Sequence, residues 1–195
     1  MKPYSDACER NREPILEVLR QSFDAPGTVL EIGSGTGQHA VYFAQNLPHL
    51  TWLATDREEN LPGIRLWFDE AGLPNLRGPR PFNVLDTAWP VSDVNYVFSA
   101  NTAHIMSWPE VEAMFAGVGR TLQPGGRFCL YGPFNRNGKF TSDSNRAFDA
   151  MLKARDPQMG LRDDRELEAL GTRCGLTLAE EHSLPANNRL LVWTG

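Results

Sequence analysis

The apolar positions change period once near the start of the chain, and that change marks the most informative stretch. Val29, Leu30 and Ile32 form a short run, bounded by Pro26-Gly27 before and by glycines after. From Gln38 onward the apolar residues Ala40, Val41, Phe43, Ala44 and Leu47 recur at helical spacing. A strand, a glycine turn and a helix follow from this pattern. Upstream, Ile15, Leu16, Val18 and Leu19 alternate with Arg12, Glu13 and Glu17, which predicts an amphipathic helix over 11–23 with Pro14 in its first turn. Downstream the pattern predicts strands over 51–55 (ending at Asp56), 80–84 (ending near Asp86), 94–100, 127–131, 176–183 and 189–194. Between them it predicts helices over 61–71 (stopped by Gly72), 109–122, 144–155 and 163–174.

Strands that alternate with helices imply an α/β fold, a mainly parallel sheet wound on both faces. Only 184–188 separates the last two strands, too short for a helical crossover, so they pair antiparallel and bring the strand count to seven. The 195 residues suit a single domain filling 1–195.

Composition narrows the function classes. No run of 18 apolar residues occurs, so no membrane span is expected, and the first residues have no apolar leader. A net charge of −5 argues against a nucleic-acid partner. Cys8, Cys129 and Cys174 are scattered and form no Cys-x-x-Cys pair, so neither a zinc site nor a disulfide framework is expected, and a cytoplasmic location is. No metal is expected either, because no His/Asp/Glu set has ligand spacing.

The glycine turn carries the candidate chemistry. A dinucleotide fingerprint, G-x-G-x-x-G, would place a third glycine at position 38, where the chain has Gln38. The frame is instead Glu31-x-Gly33-Ser34-Gly35-x-Gly37. It resembles the first motif of class I S-adenosylmethionine-dependent methyltransferases, whose fold is Rossmann-like. That resemblance implies a site in which Glu31 lies near the cationic amino end of the cofactor, with Gly33, Ser34, Gly35 and Gly37 beneath its sugar.

Other candidates sit at the carboxyl ends of strands, where open α/β sheets bind ligands. Asp56 can accept from both ribose hydroxyls, or serve only as a helix cap ahead of Glu58 and Glu59. By the same resemblance, Asp86 would accept from the adenine amino group and Val84 would supply a backbone N–H. Ala100 and Asn101 would line the methionine end. The segment after Asn101 reads Thr102-Ala103, not the Asn-Pro-Pro-Tyr of amine methylation on nucleic-acid bases, and so disfavours that substrate class. His104 is a candidate general base, its alternative being a packed histidine that supports the loop. The polar stretch 132–140 reads as a substrate-covering loop.

Several longer blocks resemble the methyltransferase-like protein 26 family, whose domain is of unknown function. They are Ala7-Cys8-Glu9-Arg10-Asn11-Arg12-Glu13-Pro14-Ile15-Leu16, the turn from Glu31 to His39, Asn101-Thr102-Ala103-His104-Ile105, Tyr131-Gly132-Pro133-Phe134, Ser144-Asn145 with Phe148-Asp149, Gly160-Leu161-Arg162-Asp163 and Pro185-Ala186-Asn187-Asn188. Members often carry tryptophan where this chain has Met159. The resemblance implies binding of S-adenosylmethionine and places Arg10, Asn11, Pro133, Phe134, Asn187 and Asn188 on the substrate side. The expected activity is methylation of a small molecule at oxygen, nitrogen or sulfur, with His104 as base if one is needed. The alternatives are a non-catalytic cofactor-binding regulator and a protein methyltransferase.

Overall fold

The computed structural model describes residues 2–195. Its main sheet has seven strands in the order β3-β2-β1-β4-β5-β9-β8. These are β1 (Gly27–Ile32), β2 (Leu50–Asp56), β3 (Leu76–Pro81), β4 (Val94–Ala100), β5 (Leu122–Gly132), β8 (Thr177–Leu184) and β9 (Asn188–Thr194). Strands β1 to β5 pair in parallel, whereas β9 lies antiparallel to both β5 and β8. The expected Rossmann-like architecture, with its closing hairpin, is therefore the one observed.

Among the described residues there are six α-helices: α1 (Asp6–Ser22), α2 (Gln38–Asn46), α3 (Leu61–Ala71), α4 (Trp108–Thr121), α5 (Asp143–Arg155) and α6 (Asp164–Arg173). Successive strand residues point to opposite faces, and the core divides accordingly. Leu30 and Val97 pack with Val111, Phe115 and Val118 of α4 and Leu167 and Leu170 of α6. Val29, Trp52 and Phe98 pack on the other face with Ile15 and Leu19 of α1 and Phe43 of α2.

Three boundaries differ from the sequence reading, and two short strands are added to it. Helix α1 begins at Asp6, not near 11, because Ser5 caps it by accepting from the Cys8 N–H at 3.4 Å. Pro14 thus lies in mid-helix and supplies no N–H for the Arg10 carbonyl. Strand β3 lies four residues earlier than expected. Asn83 and Asp86 take the following backbone out of the ladder: the Asn83 side chain accepts from Leu85 N at 3.0 Å, and the Asp86 carboxylate accepts from Asn83 N at 2.9 Å. Strand β5 begins at Leu122, with Gln123–Gly126 looped out between the pairs Val94–Leu122 and Tyr96–Arg127. Finally, two short strands that no pattern announced, β6 (Phe134–Asn135) and β7 (Arg162–Asp163), pair in parallel and tie down the loop after β5.

Among the described residues no helix is long and apolar enough to cross a membrane.

Candidate active site

Strand order reverses between β1 and β4, and the crevice beyond their carboxyl ends is where a doubly wound sheet binds ligands. The glycine turn occupies that point. Gly33 N and Ser34 N both donate to Thr55 O at 3.0 Å, which anchors the turn to β2. Gly33 and Gly35 have φ of 76° and 59°, a region costly for other residues. A Cβ on Gly33 would lie 2.6 Å from the Thr102 methyl, whereas one on Gly35 would meet no atom within 4 Å. Gly35 therefore borders open space.

Asp56 closes the other side of the turn. Its Oδ2 accepts from Gly35 N at 2.6 Å, and its Oδ1 accepts from Arg57 N at 2.7 Å and from Asn60 Nδ2 at 2.8 Å. These donors fix the carboxylate and leave it acceptor capacity toward the crevice.

Glu31 corrects the sequence reading. It points away from the crevice, is 2% exposed, and accepts from the Ser34 hydroxyl at 2.7 Å and the Trp52 indole at 3.0 Å. Burial raises its pKa to about 7, against the lowering effect of those two hydrogen bonds, and nearby Asp56 raises it further. The residue braces the turn from beneath and is not open to a cationic ligand.

The crevice forms one cavity of about 1210 Å³. Gly33, Ser34, Gly35 and Asp56 line it together with Val84, Ala100 and Asn101. Of the candidates for the opposite side, Arg10, Asn11, Pro133, Asn188 and His104 line the same cavity. Five expected residues do not. Glu31 is sealed beneath the turn, and Gly37 packs against Ile64. Asp86 is exposed and spends its carboxylate on Asn83 N, and it is Asn83 that lines the cavity. Phe134 is buried under the Arg189 guanidinium, whose Nη2 donates to the Phe134 carbonyl. Asn187 sits exposed in the β8–β9 turn with φ of 57°, its carbonyl accepting from Asn145.

Arg10 and Asn11 lie within α1 and not ahead of it, so Asn11 is not a helix cap. Its Oδ1 meets His39 Nε2 at 2.7 Å, while Cys8 Sγ stands 4.0 Å from His39 Nδ1. Ser5 and Gln38 clip α1 to the start of α2: Ser5 N donates to Gln38 Oε1 at 2.6 Å, and Gln38 Nε2 donates to Glu9 Oε1 at 2.8 Å. Asn101 takes φ of 59° at the end of β4 and donates its N–H to Tyr131 O at 2.9 Å, a left-handed position that asparagine tolerates.

His104 lines the cavity with its ring 5.2 Å from that of Phe148, edge to face. The Arg162 guanidinium braces its loop by donating to the carbonyls of Ala103 and Met106. Burial, and secondarily the charge on Arg162, lowers the His104 pKa to about 4. His39 is lowered to about 4 by burial and then by Arg12. Both rings are neutral at physiological pH.

Sequence reasoning assigned no site role to Cys8, Tyr131, Asn145 and Phe148, all of which line the cavity. Tyr131 had a signal, since it ends β5 as Asp56 ends β2. The two residues of α5 had only their place in the family blocks, because nothing in a helical pattern shows that its polar face meets a sheet edge. Among the described residues no group of three His, Cys, Asp or Glu is placed to hold a metal ion.

Comparison with known proteins bears on the family and the fold. The family model described as "Protein of unknown function (DUF938)" matches residues 2–195. Among solved structures, an O-methyltransferase family protein from Burkholderia thailandensis superposes with a TM-score of 0.84 at 18% identity, covering 97% of this chain and 57% of that one. CalO1, a methyltransferase of calicheamicin biosynthesis in its SAH-bound form, gives 0.75 at 20% identity, with 95% and 54% covered. An O-methyltransferase family 2 protein from Planctomyces limnophilus in complex with apigenin gives 0.76 at 13% identity, with 94% and 61% covered. The fold is thus that of Rossmann-like methyltransferases, and the chain spans little more than half the length of these structures.

Proposed function

The chain belongs to the DUF938 family, and from that premise we propose that it is an S-adenosylmethionine-dependent methyltransferase acting on a small molecule. One observation carries the reading: a single cavity at the strand-order reversal joins the Gly33–Gly35 turn and Asp56 on one side to His104 and Asn188 on the other. It has room for a cofactor and an acceptor together.

The residues fit that cofactor. Gly35 leaves space where any side chain would intrude, and Asp56 keeps acceptor capacity toward the cavity, as two ribose hydroxyls require. Asn83 and Val84 line the cavity, and in this reading they take the base in the role first given to Asp86. When bound, S-adenosylmethionine supplies an electrophilic methyl group on a sulfonium. The chain supplies orientation and exclusion of water, by which transfer to a good nucleophile is accelerated. His104, neutral and facing the cavity, accepts a hydrogen bond from the acceptor and orients it. With a pKa of about 4 it is a weak base.

Walls from α1, α5 and the β8–β9 turn close around the acceptor side, which supports a small molecule over a protein substrate. The O-methyltransferases among the structural neighbours make oxygen the accepting atom to test first. The blocks around Arg10, His104, Pro133 and Asn188 support the narrower resemblance to the methyltransferase-like protein 26 family. A cytoplasmic location accords with the three free thiols.

Calorimetric titration with S-adenosylmethionine and S-adenosylhomocysteine tests the cofactor, and methyl transfer into a metabolite mixture tests catalysis. Absence of binding to both ligands rejects the reading. Binding with no transfer into any acceptor leaves a regulator in its place.

A further inference from the structure

The formal charges around the cavity are unevenly distributed. Asp56 and Glu110 are the carboxylates that line it, and both belong to the cofactor half: Asp56 is held by the glycine turn, and Glu110 pairs with Arg57 at 2.8 Å while capping α4. On the acceptor half, formed by α1, α5, the His104 loop and the β8–β9 turn, the charged groups are two guanidiniums, Arg10 and Arg155. Neither has an ion-pair or hydrogen-bond partner among the described residues. Of the carboxylates near them in sequence, Glu9 is engaged by Arg12 and Gln38, Glu13 by Tyr42, Asp149 by Lys153 and Leu161 N, and Asp156 by Gln158 N, while Asp6 pairs with neither arginine. A chain with a net charge of −5 thus presents two unpaired cations where an acceptor enters.

Apolar groups line the cavity as well. Phe148, Met159, Met106 and Ile105 line the same half, and Ile105 is 47% exposed. Amides add directional donors and acceptors, since Asn145 is buried and Asn188 lines the wall beside it.

Building on the methyltransferase reading, we propose that the acceptor is an organic anion: a small molecule with an apolar body and a carboxylate or phosphate that Arg10 and Arg155 recognise. A guanidinium binds either anion through paired N–H groups, and an apolar band with few polar anchors suits the body of such a ligand. A second cation at this position would repel a cationic acceptor, so amines are selected against.

The experiment uses the whole chain saturated with S-adenosylhomocysteine. Calorimetry then compares 4-hydroxybenzoate, phenyl phosphate, neutral 4-hydroxybenzamide and cationic tyramine. The anions should bind about tenfold or more tightly than the amide, and tyramine should bind most weakly. Arg10→Gln and Arg155→Gln should each remove about tenfold of the anion's advantage while leaving amide binding and S-adenosylhomocysteine affinity unchanged. A preference for benzoate over phosphate, or the reverse, identifies the anion. Equal binding of acid and amide, no binding of any of the four, or variants that lower only cofactor affinity would each overturn the proposal. The last outcome would assign the arginines to the cofactor's own carboxylate. Failure of the chain to bind S-adenosylhomocysteine at the outset would reject the underlying methyltransferase reading instead.

Discussion

The Gly35 N–H donates to Asp56 Oδ2 at 2.6 Å, so the turn after β1 and the end of β2 form one unit. Cutting that link should affect binding more than folding. In Asp56→Ala, loss of charge-assisted bonds of about 1.5–3 kcal/mol each should weaken S-adenosylhomocysteine affinity by roughly a hundredfold. In Gly35→Val a side chain enters the cavity at φ of 59°, and binding should vanish while circular dichroism stays native. Unchanged affinity in both variants would remove the glycine turn from the site.

His104 should reveal itself by what the pH profile lacks. With a pKa lowered to about 4 by burial and Arg162, the ring does not titrate between pH 6 and 8, so no limb in that range belongs to it. His104→Asn should lower the rate of methylation without altering cofactor affinity, because it removes an orienting hydrogen bond. A limb near pH 6.5 that disappears in this variant would restore the role of general base.

Stability should depend on pH in two opposed ways. His39 and His104 have folded pKa values below the ordinary 6.5, so only the unfolded chain takes up these protons, and stability falls as pH drops from about 6.5 to 4. Each contributes up to about 3 kcal/mol over that window. Glu31 runs the other way: its folded pKa is raised, so its contribution is full below about 4.5 and is lost as pH rises to about 7. Glu31→Gln keeps an acceptor for Ser34 and Trp52 and buries no charge. It should raise the melting temperature at pH 8 and change it little at pH 5, as differential scanning fluorimetry at the two pH values would show.

Ser5 and Asn11 provide a paired test of how α1 is fixed. Ser5→Ala removes a cap and should cost about 1 kcal/mol in denaturant titrations. Asn11→Ala leaves His39 Nε2 without its partner in a buried position, which should cost about 1–3 kcal/mol. A neutral Asn11→Ala would show that the bond with His39 contributes nothing to stability.

Most of the sheet was legible because buried parallel strands are apolar runs and their crossovers keep helical period, as in Val94–Ala100 and Leu61–Ala71. The misread boundaries have separate causes. The first two turns of α1 are polar because they face the cavity and solvent, so periodicity detects the helix only from Ile15. The segment after Pro81 carries Phe82 and Val84 in alternation, yet Asn83 and Asp86 bond its backbone locally and break the ladder. At the site, the residues of the glycine turn and strand ends could be named from position, but side-chain direction could not. The frame gave Glu31 the same weight as Asp56, and only the pleat, which turns Glu31 toward Trp52, tells them apart.

Four ionisable groups line the inner wall of the cavity, and burial moves each away from its charged form: the thiol of Cys8 and the phenol of Tyr131 upward, the rings of His39 and His104 downward. Across the middle of the pH scale this wall neither gives nor takes a proton. An ionisation that governs the rate there then belongs to the acceptor or to Glu31 beneath the turn, whose pKa is about 7, and Glu31→Gln tells the two apart. In Glu31→Gln the pH profile above about 6 becomes an identification tool: a rise centred near 8.5 marks a thiol and near 10 a phenol. The enzyme's own silence would let the nucleophile be recognised by its acidity before its structure is known.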